Sequence, residues 1–300
     1  MARAPLKRLL VTGASGFLGW NICRQATDTY SVTGVCMTNP IGIDSVDEAH
    51  GDLTNDDFRT GLFSAHAPDA VIHTAADADP NFCQNHPDES AAINVTATIA
   101  LARQCAAAGI PFLFTSTDLV FDGTRPPYGE NDPVSPLNLY GRQKAAAERE
   151  ILTVYPGATV CRMPLMFGDA PMHAKSFIHP MINALRAGKE LRLFTDEYRT
   201  PASASDAAAG LLLLLDKDIR GIFHLGGPQR LSRYDMGRIL AAALKLRPAI
   251  TPCRQSDIPL SAPRAADVSL DSAHAAAQGY RPHPMEEELE KLDCIRNITM

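Results

Sequence analysis

No two cysteines in the 300-residue chain form a CxxC pair, and the seven present (Cys23, Cys36, Cys83, Cys105, Cys161, Cys253 and Cys294) are odd in number and scattered. That argues against a disulfide framework and points to free thiols in a reducing, cytoplasmic setting. No Cys/His group has zinc spacing, His173 and His179 read as solvated loop residues, and no metal is expected. Basic excess is also lacking. Against 34 Asp and Glu the chain has 28 Lys and Arg, a formal charge of −6. Nucleic acid and anionic membrane are therefore poor candidates for the main partner. Long apolar runs are missing as well. Leu211–Leu215, with Ala207–Ala209 before it, is bounded by Asp206 and Asp216 and reads as a buried helix, not a membrane span. The first residues show neither a long apolar region nor a small-residue cleavage site, so no secretory leader is expected.

What is present is a globular composition, 45% hydrophobic and 21% charged. The length allows one large or two modest domains. Short apolar runs at Leu6–Val11, Val32–Met37, Val71–Thr74, Phe112–Thr115 and Thr159–Arg162 read as strands. Helical patterns lie between or after them, at Trp20–Ala26, Glu89–Ala108 and Leu139–Val154. This alternation predicts βαβ units, hence an α/β fold with a Rossmann-type, doubly wound parallel sheet. After Met163-Pro164 the texture turns to Gly, Pro and His, followed by helical patterns at Phe177–Ala187, Ser205–Asp216 and Ser232–Leu246. The stretch 247–264, with four prolines, reads as irregular. The expected division is a dinucleotide-binding domain over 1–165 and a smaller, mainly substrate-binding domain over 166–300.

Between the first strand and helix stands Thr12-Gly13-Ala14-Ser15-Gly16-Phe17-Leu18-Gly19, with glycines spaced GxxGxxG. Gly13 permits a tight turn, Gly16 lets backbone N–H groups reach a pyrophosphate, and Gly19 lets helix pack on strand. The helix N-terminus then faces the negative charge. The second strand ends Cys36-Met37-Thr38-Asn39, with neither the acidic residue that takes ribose hydroxyls nor an arginine. Absence of a carboxylate removes repulsion against a 2′-phosphate and tilts the reading toward NADP over NAD, although Asp44 could still serve the ribose.

Tyr140-Gly-Arg-Gln-Lys144 puts Tyr140 and Lys144 one helical turn apart on one face. Upstream, Phe114-Thr115-Ser116-Thr117-Asp118 ends an apolar strand in hydroxyls and a carboxylate, where open α/β sheets place ligands. Together these parts suit hydride transfer to a carbonyl. The alkoxide that forms needs a proton; a phenol can give it, a neighbouring ammonium can tune the phenol, and a hydroxyl can hold the oxygen.

These residues resemble the extended short-chain dehydrogenase/reductases, in particular the dTDP-4-dehydrorhamnose reductase-like branch. Besides the glycine turn, the likeness is carried by Asp52-Leu53, His73-Thr-Ala-Ala76, Asn94, Ser116-Thr-Asp-Leu-Val-Phe-Asp-Gly123, Tyr140/Lys144 and Arg264–Leu270. The resemblance implies an NAD(P)H-dependent reductase of a nucleotide-linked keto-deoxy sugar, with Thr117, Tyr140 and Lys144 catalytic. It implies that Gly13, Ser15, Gly16, Phe17, Leu18, Asp52, Leu53, Ala75, Ala76, Tyr140, Lys144, Met163 and Leu165 hold the cofactor. Asp118 would lie near the sugar, and Arg199 is a candidate clamp for a nucleotide diphosphate. The resemblance also allows a homodimer. The branch commonly reads Ser-Thr-Asp-Tyr-Val-Phe, and here the fourth position is Leu119. The segment Asp196-Glu-Tyr-Arg199-Thr-Pro201 is similar instead to sugar-nucleotide epimerases and to the regulatory subunit of methionine adenosyltransferase. An epimerase and a non-catalytic cofactor-binding subunit therefore stand as alternatives.

Overall fold

A computed structural model describes residues 6–174, 176–246, 249–259 and 261–296. Seven parallel strands form the central sheet: β1 (Lys7–Thr12), β2 (Tyr30–Cys36), β3 (Val46–His50), β4 (Ala70–His73), β5 (Phe112–Thr117), β6 (Thr159–Met163) and β7 (Gly221–His224). Their spatial order is β7-β6-β5-β4-β1-β2-β3, which reverses direction between β1 and β4. That switch point opens a crevice at the carboxyl ends of the strands.

The sheet is covered on both faces because its strands are apolar on both. Leu9 and Val11 of β1 pack into a core with helices α1 (Phe17–Ala26) and Ala204–Asp216. Leu10, between them, enters the opposite core, built with Thr98–Ala108 and Leu139–Val154. A further core, from Phe167, Ile182, Met236, Leu240 and Leu289, forms the C-terminal lobe.

Several features depart from the sequence reading. β3 (VDEAH) and the helix Asp56–His66 carried no recognised pattern; β3 is an edge strand with three of its five residues exposed. The predicted helix over 89–108 holds a π-helical turn at Ala92–Ala97. Within the stretch read as irregular, Ile250–Cys253 is a strand paired with Leu191–Phe194; residues 247, 248 and 260 lie outside the described set. The part after residue 165 is not wholly separate from the sheet. β7 pairs with β6, and helix Ala204–Asp216 packs on α1. Among the described residues no helix is long and apolar enough to cross a membrane.

Candidate functional site

The glycine turn is shaped by steric necessity. Gly13 sits at φ +67, and a Cβ there would stand 2.7 Å from the Ala75 nitrogen. A Cβ on Gly19 would stand 2.2 Å from the Gly13 carbonyl oxygen. Gly16 is the N-cap of α1 and offers no side-chain cap, so the first amides of the helix remain available to an anion. The turn floors a cleft crossing the carboxyl ends of the strands.

One arm of that cleft, about 500 Å³, is bounded by Ser15, Cys36, Met37, Asp52, Leu53 and Ala75. The other, about 450 Å³, is bounded by Phe17, Leu18, Thr117, Tyr140, Lys144, Met163 and Leu165. Gly13, Gly16, Thr74 and Ala76 line both. Every residue the resemblance assigns to the cofactor thus borders this one crevice, whereas Asp44 does not.

Tyr140 and Lys144 are placed by helix Leu139–Val154. Its N-cap, Asn138, accepts a hydrogen bond from the Gly141 amide at 2.9 Å. Gly141 lets that helix approach closely, because a Cβ would stand 2.2 Å from the Leu119 carbonyl oxygen. The buried face Tyr140, Lys144, Ala147, Glu148 and Ile151 follows the helical period. Thr117, the last residue of β5, caps the 3₁₀ turn Asp118–Val120 through its hydroxyl, which accepts from the Leu119 amide at 3.2 Å.

Burial pushes the Tyr140 phenol well above its ordinary value, helped by the negative potential of Asp118 and Cys83, while a hydrogen bond with Thr117 acts the other way. Burial pulls the Lys144 ammonium down to about 7, against the attraction of Glu148 and Cys83. In the protein alone the phenol thus stands raised, by burial above all. A raised phenol keeps its proton at neutral pH. The Lys144 ammonium lies 4.1 Å from the centre of the Phe114 ring.

His73 is fully enclosed beneath this group. Its Nδ1 lies 2.6 Å from the Thr12 hydroxyl and its Nε2 lies 2.8 Å from the Thr98 hydroxyl. Burial lowers it to about 3, so it is neutral at physiological pH. Asn94, set on the π-helical turn, accepts from the Asp77 amide and donates to the Asp77 carbonyl and to Gln143 Oε1. It ties the loop after β4 to the helix carrying Tyr140.

The far wall is charged. Arg199 Nη1 donates to both Asp118 oxygens at 2.7 Å, so the expected clamp is already paired on one side. Arg264 lies 3.3 Å from Glu197, and Arg199 and Arg233 lie 3.9 and 4.0 Å from it. Glu197, Arg233 and Arg264 all border the cavity, yet none was singled out as a site residue. Their signal is three-dimensional: strand Leu231–Ser232 pairs with Tyr198–Arg199, and Asp267 bridges to Tyr198. Burial brings Arg233 down to about 10, leaving it charged at neutral pH. Ser116 Oγ, Arg199 Nε and Arg233 Nη1 are buried without a hydrogen-bond partner among the described residues. Three guanidiniums against two carboxylates, with donors to spare, suit an anion.

The chain as a whole is similar to known proteins. The family model described as RmlD substrate binding domain matches residues 7–297. Methionine adenosyltransferase 2 subunit beta from Danio rerio is 31% identical over 97% of this chain and 85% of its own length. The probable low-salt glycan biosynthesis reductase Agl14 of Haloferax volcanii is 33% identical, covering 76% of this chain and 77% of that protein. Among solved structures, a dTDP-4-dehydrorhamnose reductase from Clostridium acetobutylicum superposes with a TM-score of 0.84 at 26% identity, covering 98% of this chain and all of that one.

Proposed function

The chain belongs to the RmlD substrate binding domain family, and on that premise we propose that it is an NAD(P)H-dependent reductase of a nucleotide-linked keto-deoxy sugar. The observation that carries the reading is the assembly of Thr117, Tyr140 and Lys144 at one end of a crevice whose glycine floor a Cβ would obstruct.

The residues present fit a dinucleotide. Gly13, Ser15, Gly16, Phe17 and Leu18 would surround its diphosphate, Asp52 and Leu53 its adenine end, Ala75 and Ala76 its middle, and Met163 and Leu165 its nicotinamide. Solved structures of this fold include one in complex with NADP and another with NAD. When bound, the reduced nicotinamide supplies the hydride. Tyr140 Oη, which keeps its proton at neutral pH, donates that proton to the sugar oxygen. Thr117 Oγ1 holds the same oxygen. Lys144, centred near neutrality, carries part of a positive charge beside them and can resupply the proton. The Arg199, Arg233 and Arg264 wall takes the diphosphate of the sugar nucleotide. NADP is favoured on the absence of an acid at Cys36–Asn39, and a cytoplasmic setting on the unpaired thiols.

A second reading rests on one observation: vertebrate relatives at 30–31% identity are named as a subunit of methionine adenosyltransferase. Under it the chain binds a nicotinamide cofactor and serves a partner protein without turning over sugar. Loss of absorbance at 340 nm from NADPH, and separately NADH, with a dTDP-4-keto-6-deoxy sugar tests the choice. Turnover supports the reductase, and the rate ratio identifies the preferred cofactor. Tight cofactor binding with no turnover supports the subunit reading.

A further inference from the structure

At the open edge of the sheet, Cys36, Glu48 and His50 bring a thiol, a carboxylate and an imidazole together, each offering one ligand atom within 4.8 Å of the others. Along the chain their spacing matches no metal motif. The register of β2 on β3, which sets Cys36 opposite His50, creates the group. His50 Nε2 lies 3.7 Å from Cys36 Sγ and 2.9 Å from Glu48 Oε2. The edge of a tetrahedron around zinc, with its usual Zn–S and Zn–N lengths, is about 3.5 Å. The nitrogen–oxygen edge needs to open by a few tenths of an ångström, and the half-exposed imidazole, whose Nδ1 and Nε2 lie 3.5 and 3.7 Å from Sγ, must turn to aim a nitrogen at an ion held by the thiolate.

Supporting contacts hold the carboxylate in place. Glu48 Oε1 accepts from the amides of Ile41 at 2.8 Å and Gly42 at 3.2 Å, which fixes the carboxylate and leaves Oε2 toward His50. Cys36 is buried, whereas the His50 side chain is about half exposed, so an ion has an entry path. Cys36 also lines the crevice, where an exchangeable fourth ligand would stand.

We propose that Cys36, Glu48 and His50 form a binding site for a thiophilic divalent cation, zinc in class, with its fourth position open. A mixed sulfur, nitrogen and oxygen set selects zinc or cobalt over magnesium or calcium. On binding, the Cys36 thiol gives up its proton to solvent as the metal–sulfur bond forms. Among the described residues the other three-residue group of this kind, Asp206, His283 and Glu288, has no thiol, and Lys291 already pairs with Glu288.

The test uses the full chain stripped with a chelator and needs neither cofactor nor substrate. Titration with Zn²⁺ alone against a chromophoric chelator is expected to show one equivalent bound at micromolar or tighter affinity. Co²⁺ is expected to give a near-ultraviolet thiolate charge-transfer band. Cys36→Ser abolishes that band, His50→Ala weakens Zn²⁺ binding at least tenfold, and His283→Ala leaves it unchanged. His50 is exposed enough that its variant tests the proposal even where Cys36→Ser fails to fold. No binding at 100-fold excess Zn²⁺ over protein, a cobalt band that survives Cys36→Ser, or a loss with His283→Ala in place of His50→Ala would overturn the assignment.

Discussion

Replacing Lys144 with methionine keeps the aliphatic stem and removes the ammonium. Lys144 is 2% exposed, and burial lowers it from an ordinary 10.5 to about 7. Because the folded value lies below the unfolded one, the unfolded chain binds a proton that the native protein lacks between those limits. Native stability therefore rises with pH across that window, by about 1.36 kcal/mol per pH unit at most. Over the whole window the cost of the desolvated amine totals roughly 5 kcal/mol, present in full below pH 7 and gone near 10.5. Lys144→Met has no such group. The variant is expected to be more stable than the parent by roughly 3–4 kcal/mol at pH 6.5, after some relief of the parent's penalty by relaxation, and by about 1 kcal/mol at pH 9.5. Urea unfolding of both proteins at pH 6.5, 8 and 9.5, compared as differences, reads this directly. A difference that stays constant with pH, or a variant less stable at pH 6.5, refutes the argument. The same variant should lose turnover, because stability at this position opposes function.

Three further outcomes follow from the site. Tyr140→Phe removes only the phenolic proton, so kcat should fall by about 100-fold or more while cofactor affinity by fluorescence titration changes less than about twofold; near-parental kcat contradicts the proton-donor role. Gly19→Ala puts a methyl group 2.2 Å from the Gly13 carbonyl oxygen, so it should weaken NAD(P)H binding at least about tenfold; unchanged affinity in that titration rejects the floor of the crevice. Glu148→Ala leaves Arg162 buried without the carboxylate that its Nε and Nη2 contact at 2.8–3.2 Å, at a cost of about 3–5 kcal/mol in urea unfolding; a loss under about 1 kcal/mol shows that His224 and the Glu130 carbonyl suffice.

The parts of the site legible in the sequence are those whose constraints act over a few residues. Gly13, Gly16 and Gly19 are set by one turn, and Tyr140 and Lys144 by one helical period, so each declared itself in the linear pattern. The strands β1, β4, β5 and β6 were legible because burial on both faces demands unbroken apolar runs. β3 escaped because an edge strand with Asp47, Glu48 and His50 exposed carries no such demand. β7 escaped because only Phe223 and His224 of its four residues are buried. The arginine wall was hidden for another reason. Arg233 opens a helix, Arg264 sits in a loop and Glu197 precedes a two-residue strand, so nothing local marks them as neighbours. Their meeting depends on chain returns over tens of residues. The raised Tyr140 was equally invisible, because it follows from total enclosure and from Asp118, which β5 delivers from another part of the sheet.

Transfer of deuterium from a nicotinamide cofactor labelled at its hydride-donating carbon to a dTDP-4-keto-6-deoxy sugar tests the central claim most directly. The account predicts one deuterium on the former carbonyl carbon of the sugar, in step with cofactor oxidation, and its loss in Tyr140→Phe. Cofactor that stays bound and reduced, with no label on this sugar or on any nucleotide-linked keto-sugar tried, contradicts the reductase and leaves the binding-subunit reading in its place.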